Sequence, residues 1–210
     1  MSKEPWPAVR EYLLGYASYY PHISTWCSKV HNQLPAGRRT VLGILASDGA
    51  IAGLAVTKNG RNSKLCHFSV SSQSRAHGMG AWLMRAATME MIDHGAHRVH
   101  VTTSEEVASD HGEFFERCGF EFCSVLAGRY RRGVDELEWV ASAEALVSAT
   151  IRGTEWPDCD RAEQPRALAS LMWIPHRLSF QWMPYTRSES IPRREHNIRS
   201  TARADQPPRR

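Results

Sequence analysis

The sequence predicts a mixed α+β fold, a central and mostly antiparallel sheet flanked by helices. Three observations carry that prediction. Apolar runs at 40–46, 51–57 and 64–71 are separated by Asp48-Gly49 and Asn59-Gly60, dipeptides that favour tight hairpins, so they read as an antiparallel meander. The third run breaks at Arg75 to Gly80 into a Gly-rich turn that opens a helical pattern. Beyond it the chain alternates strand and helix and closes on a two-strand pattern.

Taken in order, residues 8–20 and 23–33 have helical character. The second begins near a Ser24 or Thr25 cap and stops before Pro35-Ala36-Gly37. The three strands of the meander follow. Leu83, Ala86, Ala87 and Met91 recur near helical spacing, which predicts a helix over 80–93 ending at Gly95. A strand at 98–103, a helix at 110–118 and strands at 120–127 and 134–140 complete a body expected to span 1–145. Residues 146–210 form an extension. Leu168 to Tyr185 is apolar, but Pro175 and Pro184 interrupt any long helix, and from Arg187 onward the composition predicts disorder.

The turn at 75–80 reads R-A-H-G-M-G. A strand entering such a turn and then a helix makes an anion cradle, because the first N–H groups of the helix lack internal partners and sit at the positive end of its dipole. Gly78 and Gly80 let a diphosphate approach the backbone closely. Nucleotide loops do not fit. A P-loop needs Lys and Ser or Thr after its second Gly, where Ala81 and Trp82 stand, and a dinucleotide fingerprint needs a third small residue where Leu83 stands. What remains is R-x-x-G-x-G-A.

That pattern resembles the acyl-CoA pyrophosphate loop of the GNAT N-acetyltransferase superfamily. Further along, Phe114-Phe115-Glu116-Arg117-Cys118-Gly119-Phe120 resembles the family's F-Y-E-K-L-G-F block, with Val99 to Thr103 forming a strand between the two. The resemblance spans roughly residues 10–140. It implies a V-shaped splay between the family's fourth and fifth strands, here 64–71 and 98–103. The family usually opens with a strand before its first helix, and only residues 1–7 precede the first helix here, so that strand is missing or very short.

The resemblance also implies a function: transfer of an acetyl group from acetyl-CoA to a primary amine by direct attack on the thioester. Phe68, Ser69 and Val70 would line the acyl-pantetheine arm, and the Val70 N–H would face the thioester oxygen. Backbone N–H groups of Arg75, Ala76, His77, Gly78, Met79, Gly80 and Ala81 would hold the pyrophosphate, with the Arg75 side chain adding charge. The family's thiolate-protonating Tyr corresponds to Phe115, which cannot donate a proton; Cys118 and Ser104 are substitutes.

For a base, His67 has the ordinary pKa of about 6.5 suited to neutral pH. Strand alternation groups it with Leu65 and Ser69, opposite Cys66, Phe68 and Val70. Glu105 and Glu106 follow the fifth strand and could act through water, and His111 is a further candidate. Each also has a plain structural reading, as packed histidine, helix-start carboxylate or surface histidine. Tyr12, Tyr16, Tyr19, Tyr20, His22 and Trp26 either shape the acceptor channel or pack on the sheet. Glu105, Glu106, Asp110 and Glu113 either attract a cationic amine or form a solvated helix start.

Composition sets the remaining expectations. The net charge is +4 over 210 residues. Residues 1–150 balance 15 Lys and Arg against 15 Asp and Glu, and residues 151–210 carry 11 against 7. Nucleic acid contact is therefore expected only through the basic tail. No run of about 18 apolar residues is present, and the first residues lack an apolar signal core, which together predict a cytoplasmic protein off the membrane. Five cysteines without framework spacing predict free thiols. Cys27 and His31, or His94, His97 and His100, do not make the converging set that zinc requires, so no metal is expected. A monomer or homodimer fits. Two alternatives stay open: a catalytically weak GNAT-fold module that binds acyl-CoA or a partner, and an acetyltransferase acting on aminoacyl-tRNA.

Overall fold

A computed structural model of the chain describes residues 5–75, 78–152 and 170–173. The elements run α1 (Trp6–Leu14), α2 (Ile23–Gln33), β1 (Arg39–Leu45), β2 (Ile51–Lys58), β3 (Asn62–Val70), α3 (Met79–Asp93), β4 (Arg98–Ser104), α4 (Glu105–Arg117), β5 (Glu121–Arg131), β6 (Val134–Ser142), α5 (Ala143–Arg152) and β7 (Ser170–Trp173). They form the mixed α+β architecture that the sequence predicts. One seven-stranded sheet has the order β5-β6-β4-β3-β2-β1-β7. Every neighbouring pair is antiparallel except β3 with β4.

Local chemistry accounts for the boundaries that differ from expectation. α1 stops at Leu14 rather than continuing to residue 20, and the Gly15 N–H closes the helix on the carbonyls of Glu11 and Tyr12 (3.3 and 3.2 Å). α2 starts at Ile23 with His22 at the cap position, ahead of the expected Ser24 or Thr25; burial of Ile23 fixes the start. α4 begins at Glu105 rather than at 110. Its first turn carries Glu105 and Glu106, whose charges suit a helix N-terminus. It ends at Arg117 with Cys118 as cap, and at the following Gly119 φ is +92° and a Cβ would lie 2.9 Å from the Ala145 carbonyl oxygen, so only glycine fits between α4 and α5.

The sheet separates two apolar cores. On one face α3, α4 and α5 pack over residues such as Leu42, Ala55, Leu65, Val101, Phe120 and Leu146. On the other, α1 and α2 pack Trp6, Val9, Leu13 and Val30 against Val41, Leu54 and Val56. The edge beside β1 is filled by β7, from the C-terminal extension, with Leu42 opposite Trp173 and Leu45 opposite Ser170. No strand precedes α1 among the described residues. The tail from Arg187, for which the composition predicts disorder, lies outside the described residues. Among them, no helix is long and apolar enough to cross a membrane.

Candidate active site

The site is built by an interruption in the sheet. β3 and β4 pair only from Asn62–Arg98 to Leu65–Val101, although β3 runs on to Val70 and β4 to Ser104. Past Leu65 the central strand therefore presents backbone groups that no strand takes up. Their direction follows from the other neighbour. The Ser71 N–H turns toward β2 and reaches the Ala52 carbonyl at 2.8 Å. By alternation the Val70 N–H and carbonyl turn the opposite way, into the gap. The Val70 carbonyl accepts from Arg75 Nε at 3.2 Å, so the Arg75 side chain turns back onto the strand end.

A bulge sets which side chains face which core. Val56 pairs with His67 and Thr57 with Leu65, leaving Cys66 without a partner in β2. The extra residue reverses the alternation. Leu65 therefore lies in the α3–α4 core with Phe68 and Val70, not beside His67 and Ser69 as strict alternation predicts. Cys66 Sγ is held by Arg39 Nη1 at 2.9 Å.

On the α3–α4 face, Phe68 stacks on Phe114 with ring centroids 5.6 Å apart. A Cβ at Gly80 would touch that same Phe114 ring at 3.5 Å and Val70 Cγ2 at 3.9 Å, so the end of β3, the start of α3 and the middle of α4 meet at one place. Gly78, with φ at +72°, turns the chain into α3 and has no side-chain cap bond. Among the described residues the first intrahelical bond is Trp82 N–H to the Gly78 carbonyl at 3.1 Å, so the N–H groups of Met79, Gly80 and Ala81 lie in the first turn, where an anion suits the helix. Ala76 and His77, expected in the same cradle, lie outside the described residues.

The opposite face carries a chain of polar groups. His67 Nε2 and Ser69 Oγ are 2.8 Å apart, Ser69 Oγ and the Tyr12 hydroxyl 3.0 Å, and the Tyr12 and Tyr16 hydroxyls 3.3 Å. The Tyr16 ring meets His67 edge-on at 4.9 Å. His67 is 5% exposed, and burial pulls its pKa down to about 4, so the ring is neutral at pH 7. Burial also pushes the Tyr12 phenol above its ordinary value, which keeps it protonated.

The remaining residues singled out by the sequence are scattered. Glu105, Glu106 and His111 are exposed on α4, and no hydrogen bond or ring contact joins the two glutamates to His67 or Ser69. Phe115 is buried and stacks on Trp139 at 6.1 Å, inside the core rather than at the gap. Cys118 is buried too, and burial pushes its thiol up to about 12, which makes it a poor proton donor. Ser104 is buried at the end of β4. Of the aromatic group, Tyr12 and Tyr16 join His67, Trp26 packs against the α1–α2 core, and Tyr19, Tyr20 and His22 are exposed. His94 and His100 bond separately, to the Glu90 carbonyl and to Glu138, and no three metal-ligating side chains converge among the described residues. A cavity of about 530 Å³ at the start of β4, between Arg98, Phe122 and Ser142, sits at the other end of that strand from the gap.

Two contributors carry little signal in the sequence. Tyr12 is one of six residues in an aromatic group, with no feature to single it out. Ser69 reads there as a wall of the pantetheine arm, although its parity with His67 points to the opposite face.

The comparisons with known proteins agree with this architecture. A family profile described as acetyltransferase (GNAT) domain matches residues 18–137. Among solved structures, one described as a GNAT-family acetyltransferase from Desulfovibrio desulfuricans superposes with a TM-score of 0.57 at 18% identity, covering 68% of this chain and 94% of the other. The aminoglycoside 6'-N-acetyltransferase of Enterococcus faecium superposes with a TM-score of 0.53 at 13% identity, covering 68% and 94%. An aminoglycoside 6'-N-acetyltransferase complexed with coenzyme A gives 0.52 at 13%, covering 65% and 92%. A search of curated proteins returned no match. With more than half its length matched by the profile, the chain belongs to the GNAT acetyltransferase family.

Proposed function

We propose that this chain is an acetyl-CoA-dependent N-acetyltransferase that acts on a primary amine. The observation that carries the reading is the gap beside Val70: a strand end with its N–H directed into the gap, next to a helix N-terminus, with polar groups on the opposite face. Phe68 and Val70 would line the pantetheine arm, which would take up the strand's free backbone groups. The N–H groups of Met79, Gly80 and Ala81 would hold the pyrophosphate. Arg75 would add charge to the cradle by leaving the Val70 carbonyl.

Bound acetyl-CoA supplies an activated acyl group. The chain's own residues would then do three things. The Val70 N–H would donate to the thioester oxygen as negative charge grows there. The acceptor amine would approach from the His67–Ser69 face and lose its proton through Ser69 to the Tyr12–His67 chain. A neutral amine releases one proton on acylation and the departing thiolate needs one, so the chain need only relay it, the proton of the ammonium form having left to water beforehand. His67, neutral and disfavoured as a cation by its burial, serves better as a relay than as a proton store. Glu105 and Glu106 would act as bases only through water.

The core position of Phe115 and the raised thiol of Cys118 favour a second reading, a weak or inactive acyl-CoA-binding module, because neither supplies a ready proton at the end of α4. Thiol release from acetyl-CoA across a panel of primary amines tests the choice. Release with any amine is expected. Tight CoA binding with no release for any acceptor would leave the module reading.

A further inference from the structure

β6 carries one acidic group whose environment the reaction outlined above does not use. Leu137 and Trp139 of β6 pack into the α3–α4 core, so Glu136 and Glu138 project from the other face, the same one as His67 and Ser69. Glu138 is spoken for: it lies 3.1 Å from His100 Nδ1 and accepts from Ser124 Oγ at 3.0 Å, and these bonds hold its carboxyl below the usual range. Glu136 is not. It is only 7% exposed, yet among the described residues it has no hydrogen bond and no ion pair. No side-chain oxygen or nitrogen is both sealed from solvent and unbonded among the described residues, so its oxygens reach the remaining accessible space.

Its position is informative. Glu136 pairs with Ser104, three residues past the last β3–β4 pair, so it stands on the β4 side of the gap while His67 and Ser69 stand on the β3 side. Tyr20 lies between. Its ring is 6.5 Å from that of His67, and its phenol is pushed up by burial and by the field of Glu136. Arg131 and Lys64 are near enough to oppose the rise that burial causes in the Glu136 carboxyl, but Lys64 Nζ is committed to the Tyr130 hydroxyl at 2.7 Å. The Glu136 carboxylate thus faces accessible space with no hydrogen bond of its own, and a ligand cation is a group that it would suit.

We propose that Glu136 anchors a second positive charge on the acceptor, so that the acceptor is a diamine or a similar dication, one amine reacting at the gap and the other seated on Glu136. The ring of Tyr20, near both groups, would be available to the alkyl chain and its ammonium. The inference rests on the transferase reading for the position of the reacting amine, but the anchoring of a dication can be measured without turnover.

Cadaverine and pentylamine, which share a chain length and differ by one charge, provide the test. Calorimetry on the CoA-loaded protein should give a cadaverine affinity at least about tenfold above that of pentylamine, as a charge-assisted contact of this kind would supply. In Glu136→Gln that preference should fall to within about twofold, with CoA affinity unchanged as the sign of an intact fold. A preference that survives in Glu136→Gln, or no cadaverine binding to the original chain, would overturn the proposal. Thiol release with the same amines reports separately on catalysis: cadaverine binding without release counts against the transferase reading and leaves the anchor standing.

Discussion

Three side chains decide what the gap can do chemically. Tyr12, Ser69 and His67 form one hydrogen-bonded chain, and removing its middle or its end has different consequences. Tyr12→Phe keeps the ring and its packing, so the predicted result is a kcat lower by about tenfold to a hundredfold, with the affinity for acetyl-CoA unchanged because the cofactor would lie on the other face. Steady-state kinetics together with calorimetry would check this; an unchanged kcat would remove Tyr12 from the relay. Ser69→Ala also leaves the buried His67 Nε2 without its bond, so it should lose activity and about 1–3 kcal/mol of stability together, read by urea unfolding. Phe115 presents the opposite case. Its position within the motif suggests a missing catalytic hydroxyl, yet its ring lies against Trp139 in the core. A Phe115→Tyr variant should therefore gain no activity.

At the scale of elements, the junction of β3 and α3 is the part of the site most legible in the sequence. A strand, two glycines and a helical pattern are local signals, and each reports on backbone conformation without reference to the rest of the fold. Gly80 shows what the structure adds. A Cβ there meets the Phe114 ring at an ordinary 3.5 Å, so Gly80→Ala should bind CoA within a few-fold of the original. Gly80→Glu would drive a longer, charged side chain against that ring and toward the cradle, and calorimetry should show CoA binding abolished. Undiminished affinity would mean the cradle is elsewhere. The bulge at Cys66 is not legible, because one unpaired residue reverses the facing of Leu65 without any change in composition. Nor is β7, whose partner β1 lies some 125 residues earlier in the chain. It covers an edge that would otherwise offer unpaired N–H and carbonyl groups. A chain ending at residue 152 should melt at a lower temperature than one ending at 174 and should self-associate in sedimentation, whereas equal melting temperatures would show that β7 contributes little.

The molecule as a whole is two cores divided by one sheet, and His67 sits where the sheet meets the α1–α2 core. That placement ties its titration to global stability rather than to a local loop. Burial lowers its pKa from 6.5 to about 4 in the folded protein. The unfolded chain therefore binds more protons between those values, and the stability that a neutral His67 allows is complete above about pH 6.5 and is lost as the pH falls toward 4. Two carboxylates titrate as well, with opposite signs. The raised carboxyl of Glu136 favours folding as acid is added, and the lowered one of Glu138 opposes it. Both remain in a His67 variant, so the difference between the two chains isolates the histidine, for which linkage gives about 2 kcal/mol between pH 7.5 and pH 5. His67→Gln cannot titrate, so its urea-unfolding free energy should fall by about 2 kcal/mol less than that of the original chain between the two pH values. A fall of the same size in both would mean that the imidazole is readily protonated in the folded state. His67 would then be a base with a charge of its own, and the proton relay through Ser69 and Tyr12 would have to be redrawn around it.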